Sequence, residues 1–329
     1  MVDHPSQLPA VQAIHADTKH APSIFIKVDM GAHRVGVMPQ TEACSQLISS
    51  VLELDSQGTA HLLGLYSHAG QSYSSSHRSD ALDYLRQEFE ALLVTAEAIH
   101  SASPGKPLVL SVGATPTTSS VRNLLIDNED TPSEEAKAIA ALRATMEAIR
   151  AQKCSIEIHA GVYPTLDLQQ LATHALPTAG PHAMLTWDHL AFTIIAEVAS
   201  LYPGRGLNGA PEALIGSGTL ALGREPCKAY PGWGILTPWN RSDAHVPLKG
   251  VEKHAGWQVG RISQEHGILV WKGEEMGEVE RLEVGQKVRI WPNHACVAGA
   301  GFGWYLVVDG DNKGREDEIV DVWVRWRGW

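Results

Sequence analysis

Short apolar runs alternate with longer amphipathic stretches through the first half of the chain. Ser23-Ile24-Phe25-Ile26-Lys27-Val28 is a brief apolar run bounded by Pro22 and Gly31. It is too short for a helix and therefore predicts a buried strand. The same signal returns in His61-Leu62-Leu63-Gly64-Leu65-Tyr66, in Leu108-Val109-Leu110-Ser111-Val112 and in Ser155-Ile156-Glu157-Ile158-His159. Between these runs, residues 41–54, 80–100 and 134–151 predict helices; in the second, Leu82, Leu85, Phe89, Leu92 and Leu93 keep helical spacing. Strands alternating with helices imply a parallel sheet with crossover connections. The carboxyl ends of such strands are where chemistry is usually housed. There the chain carries Asp29-Met30-Gly31, Ser67-His68-Ala69-Gly70, Gly113-Ala114-Thr115-Pro116 and Ala160-Gly161-Val162-Tyr163.

From about Ala191 the texture changes. Apolar segments at 194–201, 213–222, 267–271, 286–291 and 304–308, separated by Gly and Pro, predict strands of an all-β domain. The Pro/Gly-rich Leu176-Pro177-Thr178-Ala179-Gly180-Pro181 marks the boundary, giving domains at 1–182 and 183–329. Residues 204–211 and 309–317 read as flexible loops. Five of the ten tryptophans fall from Trp291 onward, which predicts a distinct core at that end.

Composition narrows the function. A 329-residue chain exceeds the usual size of one core, so two domains fit its length. With 44% hydrophobic and 19% charged residues and no long apolar stretch, a soluble protein without a membrane span is expected. Residues 1–7 show no secretory pattern, so the expected location is cytoplasmic. A net charge of −11 without a basic run argues against nucleic acid as a partner. Cys44, Cys154, Cys227 and Cys296 are too scattered for a disulfide framework and are expected as thiols.

Several constellations carry chemical content. In Pro292-Asn293-His294-Ala295-Cys296, alternation in an extended segment would point His294 and Cys296 the same way. Imidazole and thiolate together suit zinc better than magnesium or calcium, although a bare His-x-Cys also fits a buried cysteine beside a surface histidine. Arg34, just past a Gly turn, is either solvated or aimed at an anion. The loop from Ser111 to Thr117 offers backbone N–H groups and hydroxyls to a phosphate, or is simply a turn. Tyr66, His68, Gly70 and Tyr73 crowd the loop after the second strand, where tyrosines also serve as packing. Ser111 lacks a nucleophile elbow, and no Walker or dinucleotide fingerprint occurs.

Taken in order, Val28-Asp29-Met30-Gly31 with Arg34 and Gly36, Tyr66-x-His68-x-Gly70, Ser111-x-Gly113-x-Thr115-Pro116-Thr117, His159-x-Gly161-x-Tyr163 and Pro292-Asn293-His294-x-Cys296 resemble the eukaryotic D-serine dehydratase and D-threonine aldolase family. The closing run from Val322 to Trp329 resembles the end of that family as well. The resemblance implies an α/β fold of the alanine-racemase type: the C-terminal part of a pyridoxal-phosphate (β/α)8 barrel, of which only about four units are countable here, plus a C-terminal all-β domain. It implies pyridoxal 5'-phosphate and Zn2+ as cofactors, a small-molecule D-amino acid as substrate, and a homodimer. By position, Arg34 would border the cofactor ring, Tyr66 and Tyr73 would contact the cofactor or shape its pocket, and Gly113, Thr115 and Tyr163 would lie around its phosphate or ring. Lys27 and Arg34 also resemble, more loosely, a Lys and Arg of alanine racemases.

The metal pair implied by the resemblance is His294 and Cys296, and cysteine rather than aspartate at the second position favours a dehydratase over an aldolase. The implied reaction converts D-serine to pyruvate and ammonia, the metal assisting departure of the β-hydroxyl. The family's Schiff-base lysine, in a His-x-Lys-Thr-His setting, is not found, so no catalytic residue is assigned; Lys19, in His15-Ala16-Asp17-Thr18-Lys19-His20, matches it only superficially. A D-threonine aldolase-like lyase and a non-catalytic remnant stand as alternatives.

Overall fold

The computed structural model describes residues 1–126, 132–239, 250–273, 279–312, 314–315 and 317–326. The chain divides into two compact units, Met1–Gly161 with Thr173–Pro177, and Val162–Ala172 with Thr178–Trp329. Segment Val162–Ala172 thus belongs to the second unit, although it follows the last parallel strand directly.

The first unit begins with helix α1 (Leu8–Thr18), which buries only Leu8 and Val11 and was not expected from the pattern. Strand β1 (Ser23–Lys27), helix α2 (Glu42–Ser56), strand β2 (His61–Tyr66), helix α3 (Arg78–Ala102), strand β3 (Val109–Val112), helix α4 (Thr115–Ser120), helix α5 (Ser133–Ala151) and strand β4 (Ser155–Ile158) follow. The four strands pair in parallel in the order β1-β2-β3-β4. They form an open sheet of four units, matching the four strand-helix repeats read from the sequence. Helix α2 starts where the Thr41 hydroxyl accepts the Cys44 N–H, and it buries Cys44, Leu47, Ile48, Val51 and Leu54 on one face. Helix α3 does the same with Leu82, Leu85, Phe89 and Leu92, all but Phe89 fully buried. The centre of the sheet depends on Gly64, where an added Cβ would lie 1.9 Å from the Val109 carbonyl oxygen. Only glycine lets β2 and β3 approach so closely.

The loop after β3 holds a difference from expectation. Residues 115–120 form α4 rather than a simple turn, because Pro116 sits in its first turn and the Thr117 hydroxyl accepts the Ala114 N–H. Lys19 closes α1 in a left-handed conformation, and its ammonium donates to the Ala16 carbonyl at 2.6 Å. It caps a helix and takes no part in the sheet.

In the second unit, helix α6 (Leu168–Thr173) begins within Val162–Ala172. Strands β5 (Ile194–Tyr202), β6 (Glu212–Ile215), β7 (Gly234–Pro238), β8 (Trp257–Ile262), β9 (Gly267–Trp271) and β10 (Lys287–Pro292) close a barrel in the order β10-β5-β6-β9-β8-β7. Every pairing in it is antiparallel. Alternation along β5 sends Ile194, Ala196 and Val198 inward and Ile195 and Glu197 outward. The expected single strand at 213–222 instead breaks at Gly216-Ser217-Gly218 and ends in the short helix α7 (Thr219–Leu222). Helix α8 (Ala295–Ala300) precedes a two-stranded sheet of β11 (Trp304–Val308) and β12 (Ile319–Val324). Within the expected loop at 204–211 lies a short 3-10 turn, Leu207–Gly209. Parts of the expected loop at 309–317 and of the closing run, residues 313, 316 and 327–329, lie outside the described residues. No described helix is long and apolar enough to cross a membrane.

Candidate functional site

At the carboxyl edge of the parallel sheet, polar side chains from all four strands converge. The Lys27 ammonium lies 4.5 Å from the centroid of the Tyr66 ring. On its other partner, Tyr66 stacks with the His159 imidazole at 4.2 Å and 12°. A cation over an aromatic face favours the charged amine. Burial outweighs that here, and with Arg34 nearby it brings the Lys27 pKa down to about 8.

The tautomer of His159 follows from its neighbours. Ser111, fully buried on β3, donates its hydroxyl proton to Glu157 at 2.6 Å, so its oxygen is left to accept from His159 Nδ1 at 3.1 Å. Nδ1 therefore carries the ring proton and Nε2 is a bare acceptor. That atom is buried and unpaired among the described residues. Burial first, then His68 and Lys27, lowers the His159 pKa to about 4, which keeps the ring neutral. The hydroxyl of Ser111 is thus spent on Glu157 rather than on the imidazole, and the arrangement is not a serine nucleophile with its base.

A fully buried carboxylate organises the loops behind this edge. Glu88 of α3 accepts the Ala69 N–H at 2.9 Å and the Gly113 N–H at 3.1 Å on Oε1, and the Thr117 hydroxyl at 3.0 Å on Oε2. Its pKa rises to about 7, because burial exceeds the stabilisation from these three donors. The Gly113 carbonyl in turn accepts His68 Nδ1–H at 2.8 Å. Gly113 itself has a φ of +145°, and a Cβ there would lie 2.0 Å from the His159 carbonyl oxygen. Glycine is required twice over.

In the second unit, β10 leads into Asn293, whose side chain accepts from the Tyr230 hydroxyl at 2.5 Å and donates to the carbonyls of Glu225 and Gly232. His294 is the N-cap residue of α8 and Cys296 lies inside the first turn. The expected extended segment is therefore a helix start. The physical reason is local: Ala-rich residues 295–300 favour helix, and Asp167 accepts the Ala295 N–H at 2.9 Å at its positive end. His294 Nδ1 meets the Gln169 side-chain oxygen at 2.6 Å and Asp167 at 3.4 Å. Asp167 is buried, accepts the Gln170 N–H at 2.9 Å, and has its pKa raised by that burial. Cys296 is exposed at the surface; partial burial of its sulfur and the nearby Asp167 raise its thiol pKa. Among the described residues no group of three or more His, Cys, Asp or Glu is placed to hold a metal ion.

Of the residues singled out from the sequence, the first unit gathers Tyr66 and Gly113 at the sheet edge, with Thr115 buried at the start of α4. Arg34 is exposed, its Nη1 3.7 Å from where a Cβ on Gly70 would stand. Tyr73 lies in the 3-10 turn Gly70–Ser74. Tyr163 belongs to the second unit and is half exposed. The backbone donors that the loop of Gly113 would lend to a phosphate are partly spent, since the Gly113 and Ala114 N–H groups serve Glu88 and Thr117. Sequence reading missed Glu88, Glu157, Asp167 and Gln169. For Glu88 a signal existed: it sits three residues after Leu85 and four before Leu92, a charged residue on the apolar stripe of a helix.

Comparison with known proteins places this geometry among relatives. Residues 191–308 match the serine dehydratase domain model, and residues 1–128 match the alanine racemase N-terminal domain model. A D-serine dehydratase of Schizosaccharomyces pombe is 34% identical over 333 residues, covering 100% of this chain and 67% of the relative. One from Saccharomyces cerevisiae is 33% identical over 312 residues, covering 93% and 63%. The chain thus spans about two thirds of the length of these relatives. The solved D-threo-3-hydroxyaspartate dehydratase of Delftia sp. HT23 superposes with a TM-score of 0.68 at 24% identity, covering 100% of this chain and 72% of that one. Further structures of that enzyme are a cysteine-to-alanine variant in the metal-free form and a variant of a histidine two positions earlier.

Proposed function

Because the chain belongs to the D-serine dehydratase family, we propose that it eliminates water from D-serine to yield pyruvate and ammonia, using pyridoxal phosphate at the sheet edge and zinc at His294 and Cys296. The observation that carries this reading is the 34% identity with the S. pombe enzyme, which extends over 100% of this chain. The chain's incomplete span of its relatives makes the activity a matter for direct assay.

The sheet edge suits the first cofactor. Enzymes of this family and of the alanine racemase type are in general pyridoxal-phosphate-dependent. The edge offers a stacked Tyr66 and His159, a buried acceptor with no partner among the described residues, and an amine whose pKa lies within reach of neutrality. Arg34, Tyr66, Tyr73, Gly113 and Thr115 of the first unit would surround the cofactor, with Gly113 contributing space more than a donor. When bound, the cofactor supplies an electron sink for the carbon that loses its proton. With its pKa lowered to about 4, His159 is neutral near neutral pH and could offer its Nε2 lone pair to a cofactor donor. Lys27 keeps an unprotonated fraction near neutral pH and is a group of this edge able to take up a proton.

The second centre suits zinc by donor chemistry, a nitrogen and a sulfur two residues apart. His294 donates Nδ1–H to Gln169, which supports Nε2 as the atom that would face the metal. Zinc supplies Lewis-acid help to departure of the β-hydroxyl. The same two residue types, two positions apart, were altered in the Delftia enzyme. One observation favours a second reading, a protein that binds zinc without turnover: the sequence holds no His-x-Lys-Thr-His motif.

The test incubates the purified chain with pyridoxal phosphate and zinc and follows pyruvate from D-serine and L-serine. Pyruvate from the D-isomer alone, lost on chelation, is the expected result. The Cys296→Ala variant should lose bound zinc and turnover while keeping its fold. Zinc binding with neither cofactor absorbance nor pyruvate would support the second reading.

A further inference from the structure

Glu88 lies on α3, outside every motif that carries the family resemblance, yet it touches both loops at the sheet edge. One of its oxygens receives the N–H groups of Ala69 and Gly113, and the other receives the Thr117 hydroxyl. Ala69 directly follows His68. Gly113 is the residue whose carbonyl accepts His68 Nδ1–H. The peptide on one side of His68 and its ring partner on the other are thus pinned to a single carboxylate. Because a carbonyl can only accept, Nδ1 must carry the proton, and Nε2 of His68 becomes the acceptor.

We infer that Glu88 is a positioning residue, holding the loops after β2 and β3 in register so that His68 presents Nε2 as a hydrogen-bond acceptor at the candidate site. Three features support this over a merely structural part. Glu88 has no exposed surface, so its carboxylate was taken from water at a cost that apolar packing at the same place would avoid. Its donors come from two loops far apart in sequence and not from its own helix. Thr117 already has a local partner in the Ala114 carbonyl at 3.1 Å, so its contact with Glu88 is not needed to satisfy the hydroxyl. The raised pKa of Glu88 agrees with a site where a neutral, isosteric amide would serve as well.

The role of His68 as a site residue rests on the dehydratase reading; its geometry does not. The experiment is therefore made on the full chain without cofactor, by nitrogen NMR of labelled histidines, with His68→Gln used to assign the His68 signals. In the parent, His68 should show a protonated Nδ1 and a bare Nε2. Glu88→Gln, which keeps an acceptor oxygen, should preserve that signature. Glu88→Asp, which withdraws the carboxylate by one methylene, should shift the tautomer ratio at His68 by roughly two- to tenfold, the range set by losing one net hydrogen bond. A folded Glu88→Asp variant with an unchanged His68 signature would overturn the inference, and so would loss of the signature in Glu88→Gln. Adding pyridoxal phosphate to the parent then tests the functional reading separately: failure to bind would sink that reading and leave the positioning result standing.

Discussion

Each unit builds its polar centre around one buried carboxylate, but the two use it differently. In the first, Glu88 faces only uncharged donors, which it draws from two loops, and the residues it fixes are already joined by hydrogen bonds on further sides. In the second, Asp167 accepts the Ala295 N–H at the start of α8 and the Gln170 N–H of α6, and also approaches an ionisable imidazole at 3.4 Å, while Cys296 beside it remains exposed. The sheet edge is assembled by the fold. At the helix start the histidine is held by Gln169 and Asp167, whereas the cysteine is exposed. Preorganisation of one kind resists change; the other kind should respond to metal.

The sharpest way to break this contrast is to remove the first carboxylate. Glu88→Leu leaves the buried N–H groups of Ala69 and Gly113 without an acceptor and should cost about 3 kcal/mol of stability, read from the denaturant midpoint. A loss near zero would mean that the sheet edge is not held by Glu88 at all. Next in size is the second centre, where Gln169→Leu should weaken zinc binding by roughly 10- to 100-fold in a chelator competition while the melting temperature of the metal-free chain moves little. Equal affinity would show that His294 is aimed by something other than Gln169.

The smallest effect is a change of slope with pH. Glu88, raised to about 7 from 4.5, contributes stability that is complete below pH 4.5 and is lost as pH rises through about 7. His159, lowered to about 4 from 6.5, contributes stability that is complete above 6.5 and is lost as pH falls through about 4. In the shared window the two slopes oppose each other. Glu88→Gln removes the falling one, so its stability should rise with pH between about 4.5 and 6.5 more steeply than the parent's. Parallel curves for the two proteins would disprove the assignment.

Much of this molecule was legible in its sequence. The strand-helix alternation located β1 to β4 and helices α2, α3 and α5 because a buried strand and an amphipathic helix leave different apolar periods. The change of texture after Ala191 announced the antiparallel barrel. Strands β7, β8 and β12 went unread; β8 mixes apolar and polar residues without a clean period, and β7 is a short run that begins in Gly and ends in Pro. In the strand predicted at 213–222, apolar residues continued past the point where Gly216-Ser217-Gly218 turns the backbone.

The sites divide in the same manner. The sequence by itself determined which residue types stand at the strand ends, that His294 and Cys296 are separated by one position, and that a family pattern runs the length of the chain. Tertiary structure alone decided that Glu88 would reach two loops, that Ser111 would spend its proton on Glu157, that Tyr66 would stack on His159, and that Cys296 would enter a helix held by Asp167. The reason is physical. Periodicity is a property of neighbours along the chain, whereas the protonation and aim of a buried group depend on donors and acceptors brought from elsewhere, and on how much water the fold has removed around them.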